Sequence, residues 1–244
     1  MGGYDQSLLL AHSALGSTPH RCIAVSRPGY LGTPLKLGRE PEQQADLCAA
    51  VLDTLVVEKA VVIAISGGGQ TALQFALRHP ARCRALIMIS ACSAQLHVRL
   101  PLRFYLVRMM AHFPGMVARM RSKVEAADAQ RAAKCADPEA AALMRELQLS
   151  TMDRMRERMP GTLNDIRTSR APFDYPLERV TVPTLVVHGT ADEAAPFEVA
   201  RSLASRVPNA DFLPIDGGAH ISLFTHLGLI RDRVSRFLAK LPSM

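Results

Sequence analysis

Apolar runs and turn residues alternate along most of this chain. Arg21-Cys-Ile-Ala-Val-Ser26 reads as a short buried strand, ended by Arg27-Pro28-Gly29. Ala60-Val-Val-Ile-Ala-Ile65 is continuous and rich in β-branched residues, as suits a strand buried on both faces. Further strands are expected from Arg84 to Ser90, Thr184 to His188 and Ala210 to Ile215. Helix patterns lie between them. Pro41 to Val57 carries Leu47, Cys48, Val51, Leu52 and Leu55 on one stripe. Ala72, Leu73, Phe75, Ala76 and Leu77 mark a helix that ends at His79-Pro80. Pro196 to Val207 forms another. The last helix places Leu223, Leu227, Ile230, Val234, Phe237 and Leu238 on one face. The loop from Pro28 to Pro41 holds three glycines and three prolines and reads as irregular surface chain. Strands alternating with helices across short connections predict an α/β fold: a mostly parallel sheet with helices on both faces.

The alternation stops after Cys92. Residues 94–175 show no strand signal and carry 8 of the 11 methionines. Leu102, Leu106, Met109 and Phe113 fall at helical steps over Pro101–Phe113. Asp137-Pro138 has the form of a cap followed by proline at the first helical position. Leu147, Thr151, Met155 and Met159 then step by four. The expected organisation is an α/β core, residues 1–93 and 176–244, with a helical lid of residues 94–175 lying over the sheet. Methionine suits an adaptable apolar wall, although each single one fits ordinary helix core equally well. The segment has fourteen basic against nine acidic residues, interleaved. A membrane-surface contact through this basic lid is therefore a minor alternative.

Composition narrows the class. At 244 residues the chain is long enough for one domain plus an insertion. No apolar run approaches the roughly 18 residues of a membrane span. The first residues, Met-Gly-Gly-Tyr-Asp-Gln, have neither a basic n-region nor an apolar core, so no signal peptide is expected. The cysteines at 22, 48, 83, 92 and 135 are odd in number, scattered and without C-x-x-C spacing. They read as reduced, mostly buried thiols of a cytoplasmic protein. The net charge of +7 favours anionic partners, yet no tight Lys/Arg block appears and tryptophan is absent. Nucleic-acid binding is not expected.

The candidate chemistry starts at Ser66. The Ala60–Ile65 strand runs straight into Ser66-Gly-Gly-Gly69, and a helix pattern follows. A serine at so sharp a bend presents its hydroxyl clear of both elements, the arrangement of a nucleophile elbow. Neighbours two before and two after must be small; here they are Ala64 and Gly68, with Gly69 following. Ala64 departs from the usual G-x-S-x-G. Taken alone, the same turn would serve as a tightly packed strand–helix turn or a phosphate cradle. It lacks the Lys-Ser/Thr pair of a P-loop, and its glycines are not at G-x-G-x-x-G spacing. Two further polar residues sit just after predicted strands: Asp192, in His188-Gly-Thr-Ala-Asp, and His220, in Asp216-Gly-Gly-Ala-His. In a parallel sheet all such positions share one rim, the carboxyl ends of the strands. Serine, acid, histidine is also the chain order of the hydrolase triad. His12, His20, His79, His97, His112, His188 and His226 show no metal-ligand spacing with Cys or carboxylates.

On A-I-S-G-G-G at 64–69, H-G-T-A-D at 188–192 and D-G-G-A-H at 216–220, the sequence resembles the α/β-hydrolase family through nearly its whole length. The resemblance implies Ser66 as nucleophile, Asp192 as acid, His220 as base and the N–H of Gly67 in the oxyanion hole. It implies no cofactor and a small-molecule acyl substrate. The family's alternative acid position reads Ser90-Ala-Cys-Ser-Ala, without a carboxylate. Glu193 and Asp216 are weaker candidates for the acid. In the family the second oxyanion donor lies in a loop opening with His-Gly after an early strand. Met1-Gly2-Gly3-Tyr4-Asp5-Gln6 looks like the tail of that loop, and the early strands and the His-Gly pair do not precede it. Either the chain starts further upstream or this form has an incomplete oxyanion hole and reduced activity; Gly2 or Gly3 is not expected to take the donor's place. The expected function is serine-dependent hydrolysis of a carboxylic ester or related acyl compound through an acyl-enzyme. The alternatives are a catalytically impaired binding member of the same fold and a cofactor-free perhydrolase of haloperoxidase type.

Overall fold

The computed structural model describes residues 2–17, 19–97, 105–106, 109–132 and 137–242. In chain order its regular elements are helices α1 (Tyr4–Leu15) and α2 (Pro41–Thr54), strand β1 (Ala60–Ile65), α3 (Gly69–Arg78), β2 (Cys83–Ile89), α4 (Pro114–Ala132), α5 (Pro138–Met152), α6 (Met155–Arg170), β3 (Thr184–Gly189), α7 (Phe197–Arg206), β4 (Ala210–Ile215), α8 (Ser222–Thr225) and α9 (Leu227–Ala239). The four strands form one sheet in the order β1-β2-β3-β4, every pair parallel.

Side chains alternate across this sheet, as a period of two requires. Leu86, Met88 and Val186 face a core with Ala45, Ala49 and Leu52 of α2, Leu73, Phe75 and Ala76 of α3, and Ala200 and Leu203 of α7. Ala85, Ile87, Ile89, Leu185, Val187 and Ile215 face the other core, with Leu10 and Ala14 of α1, Leu147 of α5, and Ile230, Val234 and Phe237 of α9. Helices thus cover both faces. β2 and β3, the inner strands, are buried almost throughout. β1 was expected to be buried on both faces and is mostly half-buried, because it lies at an edge of the described sheet.

The expected strand at 21–26 is not one. These residues run without helix or ladder, and Arg21 and Ile23 are exposed. β-Branched residues favour extended chain, but a strand needs a hydrogen-bonded neighbour, and the described sheet offers this segment none. The stripe expected on α2 also shifts. Its buried positions are Pro41, Gln44, Ala45, Ala49 and Leu52, while Leu55 is exposed.

The described part of 94–175 holds helices and no strand. Asp137 caps α5 by accepting from the Ala140 N–H at 3.0 Å, with Pro138 at the first helical position. The run from Leu147 to Met159 is not one helix. It breaks at Asp153-Arg154, where Arg154 is left-handed (φ 52°). Leu147 and Met155 are buried and Thr151 is exposed. Leu102 lies outside the described residues; Leu106, Met109 and Phe113 are exposed. Among the described residues no helix is long and apolar enough to cross a membrane.

α6 is joined to the turn after residue 27 by backbone bonds. Pro160 interrupts its ladder, having no N–H to give. Beside it the Gly161 N–H donates to Gly29 O at 2.9 Å, and Glu157 O accepts from the Leu31 N–H at 3.1 Å. Gly29 and Gly161 touch backbone to backbone: a Cβ on Gly29 would lie 2.6 Å from Gly161 Cα. α6 also packs against the Ser66–Gly68 turn that follows β1.

Candidate active site

Ser66 ends β1 and opens a short 3₁₀ turn, Ser66–Gly68, that leads into α3. Its φ of 53° is left-handed, a conformation that costs a non-glycine residue and clusters at functional sites. The Cys92 N–H donates to Ser66 O at 3.0 Å and ties the turn to the chain leaving β2. Sequence spacing puts the strictest small-residue demand at Ala64 and Gly68. The structure moves it one place on. A Cβ at Gly68 would meet that of Ala64 at an ordinary 4.0 Å, whereas one at Gly69 would lie 2.4 Å from Cys92 O.

Asp192 and His220 follow β3 and β4. Their two loops are interlocked. Thr190 N–H donates to Ile215 O and Ala191 N–H to Gly218 O, both at 2.9 Å, and Gly217 N–H donates to Thr190 Oγ1 at 2.8 Å. A Cβ at Gly189 would stand 2.0 Å from Gly218 O, so only glycine allows this approach.

The three side chains expected on one rim meet there. His220 Nε2 lies 2.9 Å from Ser66 Oγ. His220 Nδ1 lies 2.8 Å from Asp192 Oδ2 and 3.1 Å from Oδ1. An ionised carboxylate only accepts, so the Nδ1–H donates to Asp192 and Nε2 is left to accept from the serine hydroxyl. The Asp192 side chain is fully buried, and that of His220 is 26% exposed. Burial pushes the Asp192 carboxyl up. Hydrogen bonds from His188, His220 and the Ala195 N–H outweigh it and hold the group well below the ordinary carboxylate range. His188 is buried, its Nε2 donating to Ala195 O at 2.8 Å and standing 3.3 Å from Asp192 Oδ2. Glu193 and Asp216, the other acid candidates, are exposed. Among the described residues Asp216 Oδ1 accepts from Thr190 Oγ1 alone, at a long 3.5 Å.

Sequence reasoning missed a second polar cluster beside the same turn. Asp165 of α6 accepts from Arg27 twice, Nη1 to Oδ1 at 2.8 Å and Nη2 to Oδ2 at 2.5 Å, and from Tyr30 Oη at 2.7 Å. Arg27 Nη1 also donates to Gln44 Oε1 at 3.0 Å, which in turn accepts from Thr71 Oγ1 at 3.0 Å. Burial pulls the Arg27 guanidinium down, but Asp165 holds it above its usual range. Burial and the same carboxylate raise the Tyr30 phenol. The sequence signal was the R-P-G-Y turn at 27–30 against a carboxylate 135 positions later, a distance at which no local pattern operates. Gly2 and Gly3 lie against Tyr30 and Arg158 respectively, and Gly2 O accepts from the Arg27 N–H.

A family-wide sequence description, "Alpha/beta hydrolase family", matches residues 2–230. The chain belongs to the α/β-hydrolase family. This hydrolase is 30% identical over 227 residues to a poly(3-hydroxyalkanoate) depolymerase of Ectopseudomonas oleovorans, covering 88% of this chain and 74% of that protein. It is 24% identical over 235 residues to a 2-hydroxy-6-oxononadienedioate/2-hydroxy-6-oxononatrienedioate hydrolase of Paraburkholderia phymatum, covering 93% and 79%. Among solved structures, an α/β-hydrolase fold protein from Nakamurella multipartita superposes with a TM-score of 0.79 at 32% identity, covering 97% of this chain and 88% of that one. These named relatives are hydrolases, which supports an enzyme here. A cavity of about 520 Å³ in this α/β hydrolase is lined by Leu35, Arg39, Met159, Leu163 and Arg167 among others. It opens on the face of α6 turned away from Asp165, and neither Ser66 nor His220 lines it.

Proposed function

We propose that this chain is a serine hydrolase of carboxylic esters or related acyl compounds, working through an acyl-enzyme. The reading rests on the hydrogen-bond relay from Ser66 Oγ through the His220 ring to Asp192. In this scheme His220 Nε2 takes the hydroxyl proton as Ser66 Oγ attacks the carbonyl carbon. Asp192 fixes the tautomer and stabilises the imidazolium. The Gly67 N–H, at the start of the helical turn, faces the developing oxyanion. His220 returns the proton to the leaving alcohol, then takes one from water, whose oxygen attacks the acyl-enzyme and releases the acid. The helical segment 94–175 acts as a lid, and its α6 packs against the Ser66–Gly68 turn.

The relative named a poly(3-hydroxyalkanoate) depolymerase supports an ester as the substrate class. Turnover of p-nitrophenyl esters of graded chain length and labelling by a fluorophosphonate test the reading. Ser66→Ala is expected to abolish labelling and to lower kcat by on the order of 10⁴- to 10⁶-fold. Normal turnover by that variant would end the proposal.

A further inference from the structure

α6 brings a carboxylate to the turn that carries Ser66. A Cβ on Gly67 would lie 3.1 Å from Asp165 Oδ2. Since a Cβ stands ~2.5 Å from its own backbone nitrogen, the carboxylate lies within ~6 Å of the Gly67 N–H. That N–H is the donor assigned above to the oxyanion. An uncompensated anion so close would oppose the negative charge that has to develop during acyl transfer. At an effective dielectric constant of ~20, one unit charge ~6 Å away corresponds to roughly a hundredfold in rate.

The compensation is built in. Both Asp165 oxygens accept from the Arg27 guanidinium in a two-pronged pair, and Tyr30 adds a third donor. The pair is largely shielded from water, with side chains 10% and 13% exposed, so solvent does little of the screening. Gln44 Oε1, which also accepts from Thr71 Oγ1, accepts from the same Nη1 of Arg27 and helps hold it in place. We propose that Arg27 is a positioning residue of the reaction: it cancels the field of Asp165 at the oxyanion site, which lets Asp165 anchor α6 to the 27–30 turn, beside Gly67, without opposing catalysis. The inference rests on the reading of Ser66 as nucleophile and Gly67 as oxyanion donor.

A charge-neutralisation cycle tests it on a p-nitrophenyl ester. Arg27→Gln leaves the carboxylate uncompensated and is expected to lower kcat roughly 10- to 100-fold with KM changed less than about threefold. Arg27→Gln/Asp165→Asn removes both charges and is expected to recover kcat to within about threefold of the native value, although the ion pair is gone. A pair that merely clamps α6 gives the opposite result: the double variant is then no faster than Arg27→Gln, and the proposal is overturned. If Arg27→Gln does not fold, Asp165→Asn carries the test alone. It deletes the anion and keeps the cation, so kcat at or above native supports the proposal and a tenfold loss refutes it. Fluorophosphonate labelling of each variant keeps the two readings apart. If Ser66→Ala turns over normally, the serine reading itself fails; if it is inactive while the double variant is not rescued, only the role of Arg27 falls.

Discussion

At the scale of single residues, the site depends on places where a side chain is forbidden or has no partner. Gly69 is the first kind. A methyl group there meets the Cys92 carbonyl, which is backbone and cannot swing aside. Gly69→Ala is therefore expected to cost ~2 kcal/mol and to displace Ser66, read as a lower melting temperature together with slower fluorophosphonate labelling. Ser90 is the second kind. Its hydroxyl is buried without a hydrogen-bond partner among the described residues, and its φ is 46°. Ser90→Ala removes the orphaned hydroxyl and should stabilise the fold by up to ~1 kcal/mol in urea unfolding. Loss of stability would mean that the hydroxyl has a partner in solution. The thiols of Cys83 and Cys92 are pushed up by burial, to about 12 and about 11. Both should resist alkylation at neutral pH until the chain unfolds.

At the scale of elements, what could be read from sequence depended on how local the cause was. β1, β2, β3 and β4 were legible because each is a short apolar run closed by turn residues, and runs of that kind are decided by their own composition. The rim positions of Ser66, Asp192 and His220 were legible for the same reason, each lying in the turn just past such a run. The segment 21–26 has the composition of a strand and no partner, and pairing is not written in one segment alone. α1 gave little signal because Gln6 and Ser13 are among its buried residues. Gln6 Nε2 donates to Ser150 Oγ and Thr151 Oγ1 of α5, so its face is defined by polar contacts that hydrophobic periodicity does not register. The same holds for Asp165 and Arg27. The crossing of α6 over the 27–31 turn is equally non-local. A Cβ at Gly161 would lie 2.2 Å from the Tyr30 ring. Gly161→Ala should therefore push α6 off the turn, costing ~2 kcal/mol and weakening ester turnover more than a surface substitution such as Arg201→Ala.

At the scale of the whole molecule, the buried Asp192 makes folding depend on acid. Its carboxyl is held below the value it has in an unfolded chain. The stability it contributes is thus complete above the unfolded carboxylate range, about 4, and drains away as the pH falls toward the lower folded value. Thermal unfolding followed from pH 7 downward should show this decline, and Asp192→Asn should flatten it. A profile of the same slope in that variant would assign the acid sensitivity to other carboxylates.

The interlock between the loops of Asp192 and His220 has a consequence for motion. Two backbone bonds, the Gly217 N–H bond to Thr190 Oγ1 and a glycine-on-carbonyl contact join those loops, whereas among the described residues a single side-chain bond joins His220 to Ser66. Asp192 and His220 are therefore held as one piece, and any breathing of the rim is expected to open first between His220 and Ser66.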